Sequence, residues 1–285
     1  MSINSGDRPW PQQVAHADSD WPSSDQRVLV PFHEGLNADE TGLLAGSITF
    51  GADGDLYLLH TVDGDADHAE ALHEQARLKR TVTAAFDVPT YDHLTERTRD
   101  AVASFVRDHG ITTTVVDESE GVLSGRRDRV SAPCHTVVGT GMDTFESPAS
   151  ILVPVASGPH SGLAVQVAGA IARASDCWLE LFHVLPEDAS ESRESDATGL
   201  LDCYEYHLDD DVAVDHLVQR GADPAAAIVE HAQYHDLTVL GAPEKGSLRR
   251  FLFGSTTDAV TADVDESPVL TVHRNTDESR LSRWV

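Results

Sequence analysis

Ile151-Leu-Val-Pro-Val155 is a short, uninterrupted apolar run, and nearly the same run stands 123 positions earlier as Val28-Leu-Val-Pro-Phe32. Extending that offset without gaps over 28–62 gives identities at Leu29, Val30, Pro31, Gly35, Ala45, Gly46, Ile48, Asp53, Leu56, Leu58 and His60, which is 11 of 35 positions. Turn residues are among them, so the chain reads as two copies of one unit.

The unit is β/α. A continuous apolar run of this length is what a strand buried on both faces requires. In the second copy it leads through the turn ASGPHSG into Leu163, Val167, Ile171 and Ala174, which recur at helical spacing. CWLELFHV (177–184) reads as a second strand, followed by a polar Ser/Asp/Glu-rich stretch to about 203. VAVDHLV (212–218) reads as a third strand. Asp223-Pro224 then has the form of a helix N-cap followed by proline at the first helical position. LTVL (237–240), a last helix from about 256 and PVLTVH (268–273) complete the copy. In the first copy, strands are expected at 27–32, 55–62, 86–89, 111–116 and 134–139. Helices are expected at 38–51, 68–84, 93–109 (closed by Gly110) and 121–131. Strands alternating with helices predict a parallel sheet with right-handed crossovers and helices on both faces. The expected divisions are a tail over 1–25, a first domain over 26–141, a second over 149–275 and a tail over 276–285, with 141–150 as the join.

Composition limits the function classes. The 285 residues carry 48 acidic against 20 basic side chains, a formal charge of −28, and only Lys79 and Lys245 among the basic residues are lysines. Such a surface repels nucleic acid and anionic membranes; an acidic, lysine-poor surface is a halophile signature. Cys134, Cys177 and Cys203 form no CxxC pair, which fits a reducing cytoplasm without disulfides. No apolar leader or membrane span is read from the sequence.

The residues Ile151-Leu-Val-Pro-Val155, Leu181-Phe-His-Val184, Leu240-Gly241, Gly254-Ser255 and Ser267-Pro-Val-Leu-Thr-Val272 together resemble the universal stress protein family, over nearly the whole chain outside the tails. The resemblance implies two tandem five-stranded, doubly wound parallel-sheet domains of the adenine nucleotide α-hydrolase-like type, packed as an intramolecular pseudo-dimer. It also implies a stress-response sensor or regulator, not a turnover enzyme, and ATP or AMP as ligand, with Mg2+ accompanying ATP. Family binders carry Gly-x2-Gly-x9-Gly-Ser/Thr. In GAPEKGSLRRFLFGSTTD (241–258), Gly241 fits the first position and Gly254-Ser255 the last, while Glu244 replaces the middle glycine. The nucleotide-contacting positions implied in the second copy are Val155, Ala156, Val184, Gly241, Gly246, Gly254, Ser255 and Thr256. Ala156 stands where family binders usually place a ribose-contacting aspartate, and His33 takes that place in the first copy. The first copy's loop is about ten residues shorter and carries Asp117, Glu118 and Glu120, so that half reads as a non-binding partner. Beside this reading stand a protein-interaction module with both sites inactive and a slow nucleotide hydrolase. A further homodimer and a protein partner are left open.

Other constellations are weaker. Asp63, Asp65, Asp67 and Glu74 have calcium-loop spacing, but His68 stands where the sharp turn needs glycine. His60 and His183, equivalent in the repeat, read as packed structural residues at the sheet edge. The fifteen histidines show no HExxH or other tight ligand spacing, and Cys203-Tyr-Glu-Tyr206 has no base partner in sequence. No metal ligand set or catalytic residue is expected.

Overall fold

The computed structural model describes residues 25–33, 38–64, 68–98, 100–117, 134–142, 145, 147–242 and 267–275. The chain divides into two compact units, one built from 22–147 together with 268–285, the other from 148–267.

In the first unit the strands are β1 (Arg27–His33), β2 (Asp55–Val62), β3 (Thr90–Glu96), β4 (Thr113–Asp117), β5 (His135–Thr140) and β10 (Val269–His273). They lie in the order β3-β2-β1-β4-β5-β10. All neighbours are parallel except β10, which runs antiparallel to β5 with Leu270 opposite Gly139. Val28, Leu29 and Val30 are fully buried, as a strand covered on both faces must be. The helices α1 (Asp39–Gly51), α2 (His68–Ala85) and α3 (Ala101–His109) supply those covers. Phe105 and Val106 of α3 pack with Leu29 and Leu59 on one face. On the other, Phe32 stacks on His60, whose ring reaches the Ala71 carbonyl of α2.

The unit formed by 148–267 has β6 (Ser150–Pro154), β7 (Trp178–Leu185), β8 (Val214–Arg220) and β9 (Leu237–Gly241), in the order β9-β6-β7-β8 and all parallel. Its helices are α4 (Pro159–Ser175), α5 (Glu191–Glu205) and α6 (Pro224–Ala232). Leu185 packs with Ala197 of α5 on one face, and Phe182 stacks on His231 of α6 on the other. The capping expected at Asp223 is present: its carboxylate accepts from the N–H groups of Ala225 (2.9 Å) and Ala226 (3.3 Å), with Pro224 opening the helix.

The repeat's identities have structural causes. Asp53 and Asp176, equivalent positions, both adopt φ 51°, ending α1 and α4 in the left-handed region that a short polar side chain tolerates. Gly46 and Gly169 are equivalent too. A Cβ on Gly46 would lie 2.7 Å from Phe86, and one on Gly169 2.5 Å from Leu208.

The structure corrects the reading in three places, at β3, at α5 and at the two repeated histidines. The weak strand expected at 86–89 lies at 90–96, and it takes the first part of the expected 93–109 helix, which begins at Ala101. Half-exposed β3 lacks the apolar run by which a buried strand is recognised, and its backbone is held by pairing with β2 instead. The polar stretch before 203 contains a full helix, α5, capped by Ser190, whose hydroxyl accepts from the Arg193 N–H. Its apolar stripe is only Ala197, Leu200, Leu201 and Tyr204. The histidines 60 and 183 sit on β2 and β7, strands flanked on both sides, not at an edge. The strand expected to finish the second copy, 268–273, is present as β10 and pairs with β5 of the first unit. The expected helices at 121–131 and from about 256 lie outside the described residues.

Candidate nucleotide crevice

In an open parallel sheet a ligand crevice forms outside the carboxyl ends of the strands where the strand order reverses. In the second unit that point lies between β6 and β9, because β6 has β7 on one side and β9 on the other. Leu152 pairs with Thr238, and continuing this register sets Val155 level with Gly241. The expected residues Val155, Ala156 and Gly241 therefore meet at one strand end, and Val184 stands at the end of adjacent β7. Gly246, Gly254, Ser255 and Thr256 lie outside the described residues, as does Glu244.

The chain leaving β6 is held by side chains from three elements. His183 donates from Nδ1 to the Val155 carbonyl at 2.8 Å, since a carbonyl can only accept. Ser161, in the first turn of α4, accepts the Ala156 N–H at 3.1 Å. Tyr204, from α5, donates its hydroxyl to the Ala156 carbonyl at 2.9 Å. Burial pushes the Tyr204 hydroxyl up to about 12, against the lowering effect of hydrogen bonds with Gly158 and Ser161. The result is a fixed backbone turn whose Ala156 methyl is exposed. Sequence reasoning set Tyr204 aside with its polar neighbours. The signal was its place four residues after Leu200 and three after Leu201, on the one apolar stripe of α5.

Gly241 has a packing role that the spacing did not show. A Cβ there would lie 2.7 Å from the His160 carbonyl carbon and 2.8 Å from the Ser161 nitrogen, so glycine lets the end of β9 touch the first turn of α4. The described residues bring together an exposed small side chain, a hydrogen-bonded backbone turn, the half-buried Val184 beside it and the N-terminus of α4, which is suited to an anionic group.

The equivalent strand end in the first unit is wired differently. His60 donates to Ala71 at 3.0 Å and has Glu74 3.7 Å from Nε2, and it is stacked on Phe32 at 4.5 Å. The Phe32 carbonyl accepts from Thr61 instead, at 3.2 Å. Glu74, the last residue of the calcium-like spacing, is thus committed to His60 in helix α2; Asp65 and Asp67 lie outside the described residues. Asp117, at the end of β4 where β9 has Gly241, brings a buried carboxylate to the switch point.

Residues 149–273 match the model of the universal stress protein family. That segment contains every described residue of the crevice. No curated protein matches the sequence. Among solved structures, a universal stress protein from Archaeoglobus fulgidus DSM 4304 is similar at 13% identity, over 87% of this chain and 97% of that one, with a TM-score of 0.51. The cytoplasmic domain of a prokaryotic cation chloride cotransporter is similar at 12% identity, over 91% of this chain and 99% of that one, with a TM-score of 0.61. Both likenesses are of fold. The segment matched by that family model thus coincides with the unit whose strand ends form the crevice. No helix among the described residues is long and apolar enough to cross a membrane.

Proposed function

We propose that the protein is a universal-stress-type sensor or regulator that binds ATP or AMP in the crevice between β6 and β9, with the first unit as a non-binding partner. The observation that carries this reading is the turn at Val155–Ala156. Three side chains from β7, α4 and α5 hold it rigid beside Gly241, at the switch point where such sheets take ligands. Gly254, Ser255 and Thr256 are the residues that the family resemblance assigns to the phosphates, with Mg2+ as the counter-ion that would accompany ATP. In the first unit, the Phe32–His60 stack and Asp117 occupy the corresponding strand ends, which disfavours a nucleotide there.

The protein is read as a regulator without turnover, because the described crevice brings together no nucleophile with a base. The test is calorimetric titration of ATP and AMP with Mg2+ in concentrated KCl. Saturable binding is expected, with a thermal stabilisation of about 2.7 kcal/mol at a hundredfold excess over Kd. Glu244→Gly is expected to tighten ATP more than AMP, since repulsion of the distal phosphates is removed. Absence of binding in both forms would instead support an interaction module with inactive sites. Release of ADP during the titration would support a slow hydrolase.

A further inference from the structure

A second group of side chains in the 148–267 unit is unrelated to the crevice. Glu180 lies in the middle of β7, paired in register with Leu152 and Asp215, away from the strand ends. His231 is in the last turn of α6. His235 follows that helix, brought back beside it by a tightened turn in which its N–H bonds the Ala232 carbonyl. One ligand atom from each of the three lies within 4.8 Å of the others.

Three features give this cluster the chemistry of a metal centre. His235 is 5% exposed, and its Nδ1 donates to the His231 carbonyl at 3.3 Å, which leaves the lone pair on Nε2. That Nε2 is buried and has no hydrogen-bond partner among the described residues. A buried acceptor left unpaired is destabilising, so its retention calls for a ligand. Next, Glu180 Oε1 and His231 Nε2 are in direct contact, at 14% and 22% side-chain exposure, so the carboxylate already faces the second imidazole from the accessible side. Finally, both rings are held in orientation: Phe182 stacks on His231 at 4.8 Å and 11°, and Trp178 packs against His235 at 5.3 Å. A ligating histidine whose other nitrogen is fixed by a carbonyl is the usual supported arrangement.

We propose that Glu180, His231 and His235 bind a divalent transition-metal ion of the zinc class. Two imidazoles and one carboxylate suit that class, with a further position left open to water. Bonds of about 2.0–2.1 Å place tetrahedral ligand atoms roughly 3.3 Å apart, so small rotations of the side chains close the site from its present span. The ion takes the place of the hydrogen bond between Glu180 and His231, and it satisfies Nε2 of His235. The sequence carried a signal in His231-x3-His235, four residues apart across the end of α6.

The test uses the full chain, stripped with a chelator and exchanged into concentrated KCl at neutral pH. Co2+ is added while the visible absorption is followed, and Zn2+ affinity is measured by competition with a chromophoric chelator. One equivalent is expected to bind at micromolar concentration or below. His231→Ala and His235→Ala should each weaken binding by more than the ~10–100-fold that loss of a supporting partner produces. Glu180→Gln, at a partly exposed position that spares the fold, should weaken it and change the Co2+ spectrum. His216→Ala removes a histidine from the exposed Asp202–Glu205–His216 group and should leave binding unchanged. The proposal is overturned by a lack of saturable uptake, by uptake that survives both His231→Ala and Glu180→Gln in folded protein, or by uptake lost in His216→Ala.

Discussion

A methyl group on Gly241 would stand 2.9 Å from the His160 carbonyl oxygen and closer still to two neighbouring backbone atoms, none of which can rotate away. Gly241→Ala must therefore push β9 from α4. Overpacking of this kind costs about 1–3 kcal/mol, which denaturant melts of wild type and variant would show; an unchanged midpoint would remove the close-approach argument. Spacing alone marked Gly241 as a phosphate-loop glycine. Its steric role was not legible, because the atoms that forbid a side chain lie some eighty residues earlier. The same holds for His60 and His183. Sequence made them equivalent, yet one serves a helix carbonyl and the other a strand-end carbonyl. Which acceptor a ring nitrogen finds depends on what packs over it.

Elements with a strong internal period were legible. The strand expected at 55–62 has those bounds, Gly110 caps α3 at φ 61°, and Asp223 caps α6. Weak periods failed: α5 was missed and β3 displaced, since each is defined by neighbours more than by its own pattern. Between α1 and α2 the packing rests on a pair of glycines four apart. A Cβ on Gly42 would lie 2.6 Å from Leu78, and one on Gly46 2.9 Å from Val82 as well as 2.7 Å from Phe86. Gly46→Val is expected to separate the two helices and to lower stability by about 1–3 kcal/mol. Hydrogen exchange should accelerate in α1 and α2 while α3, on the opposite face, changes little. Equal acceleration in all three would argue against a local contact.

At the scale of the whole chain, residues 140 positions apart close the first unit. The Asn275 N–H donates to Nδ1 of half-buried His135 at 3.1 Å, so β10 is tied to β5 through a neutral imidazole. Burial, helped by the nearby Arg274 charge, lowers His135 from 6.5 to about 4. The folded value lies below the unfolded one, so this contribution is complete above about pH 6.5 and is lost as pH falls towards 4. His135→Leu should shrink the loss of stability over that window when the melting temperatures of variant and wild type are compared from pH 7 to about 4. Parallel curves would show that His135 does not couple folding to protons. By itself the sequence determined the α/β class, the strands buried on both faces and the acidic composition, because these follow from local periodicity, turn chemistry and residue counts. Only the tertiary structure decided that β10 pairs with β5, that Tyr204, Ser161 and His183 shape the crevice turn, and that Glu180 meets two histidines fifty residues on. Those contacts join positions far apart in sequence, and which of them form is settled by how the helices and strands pack.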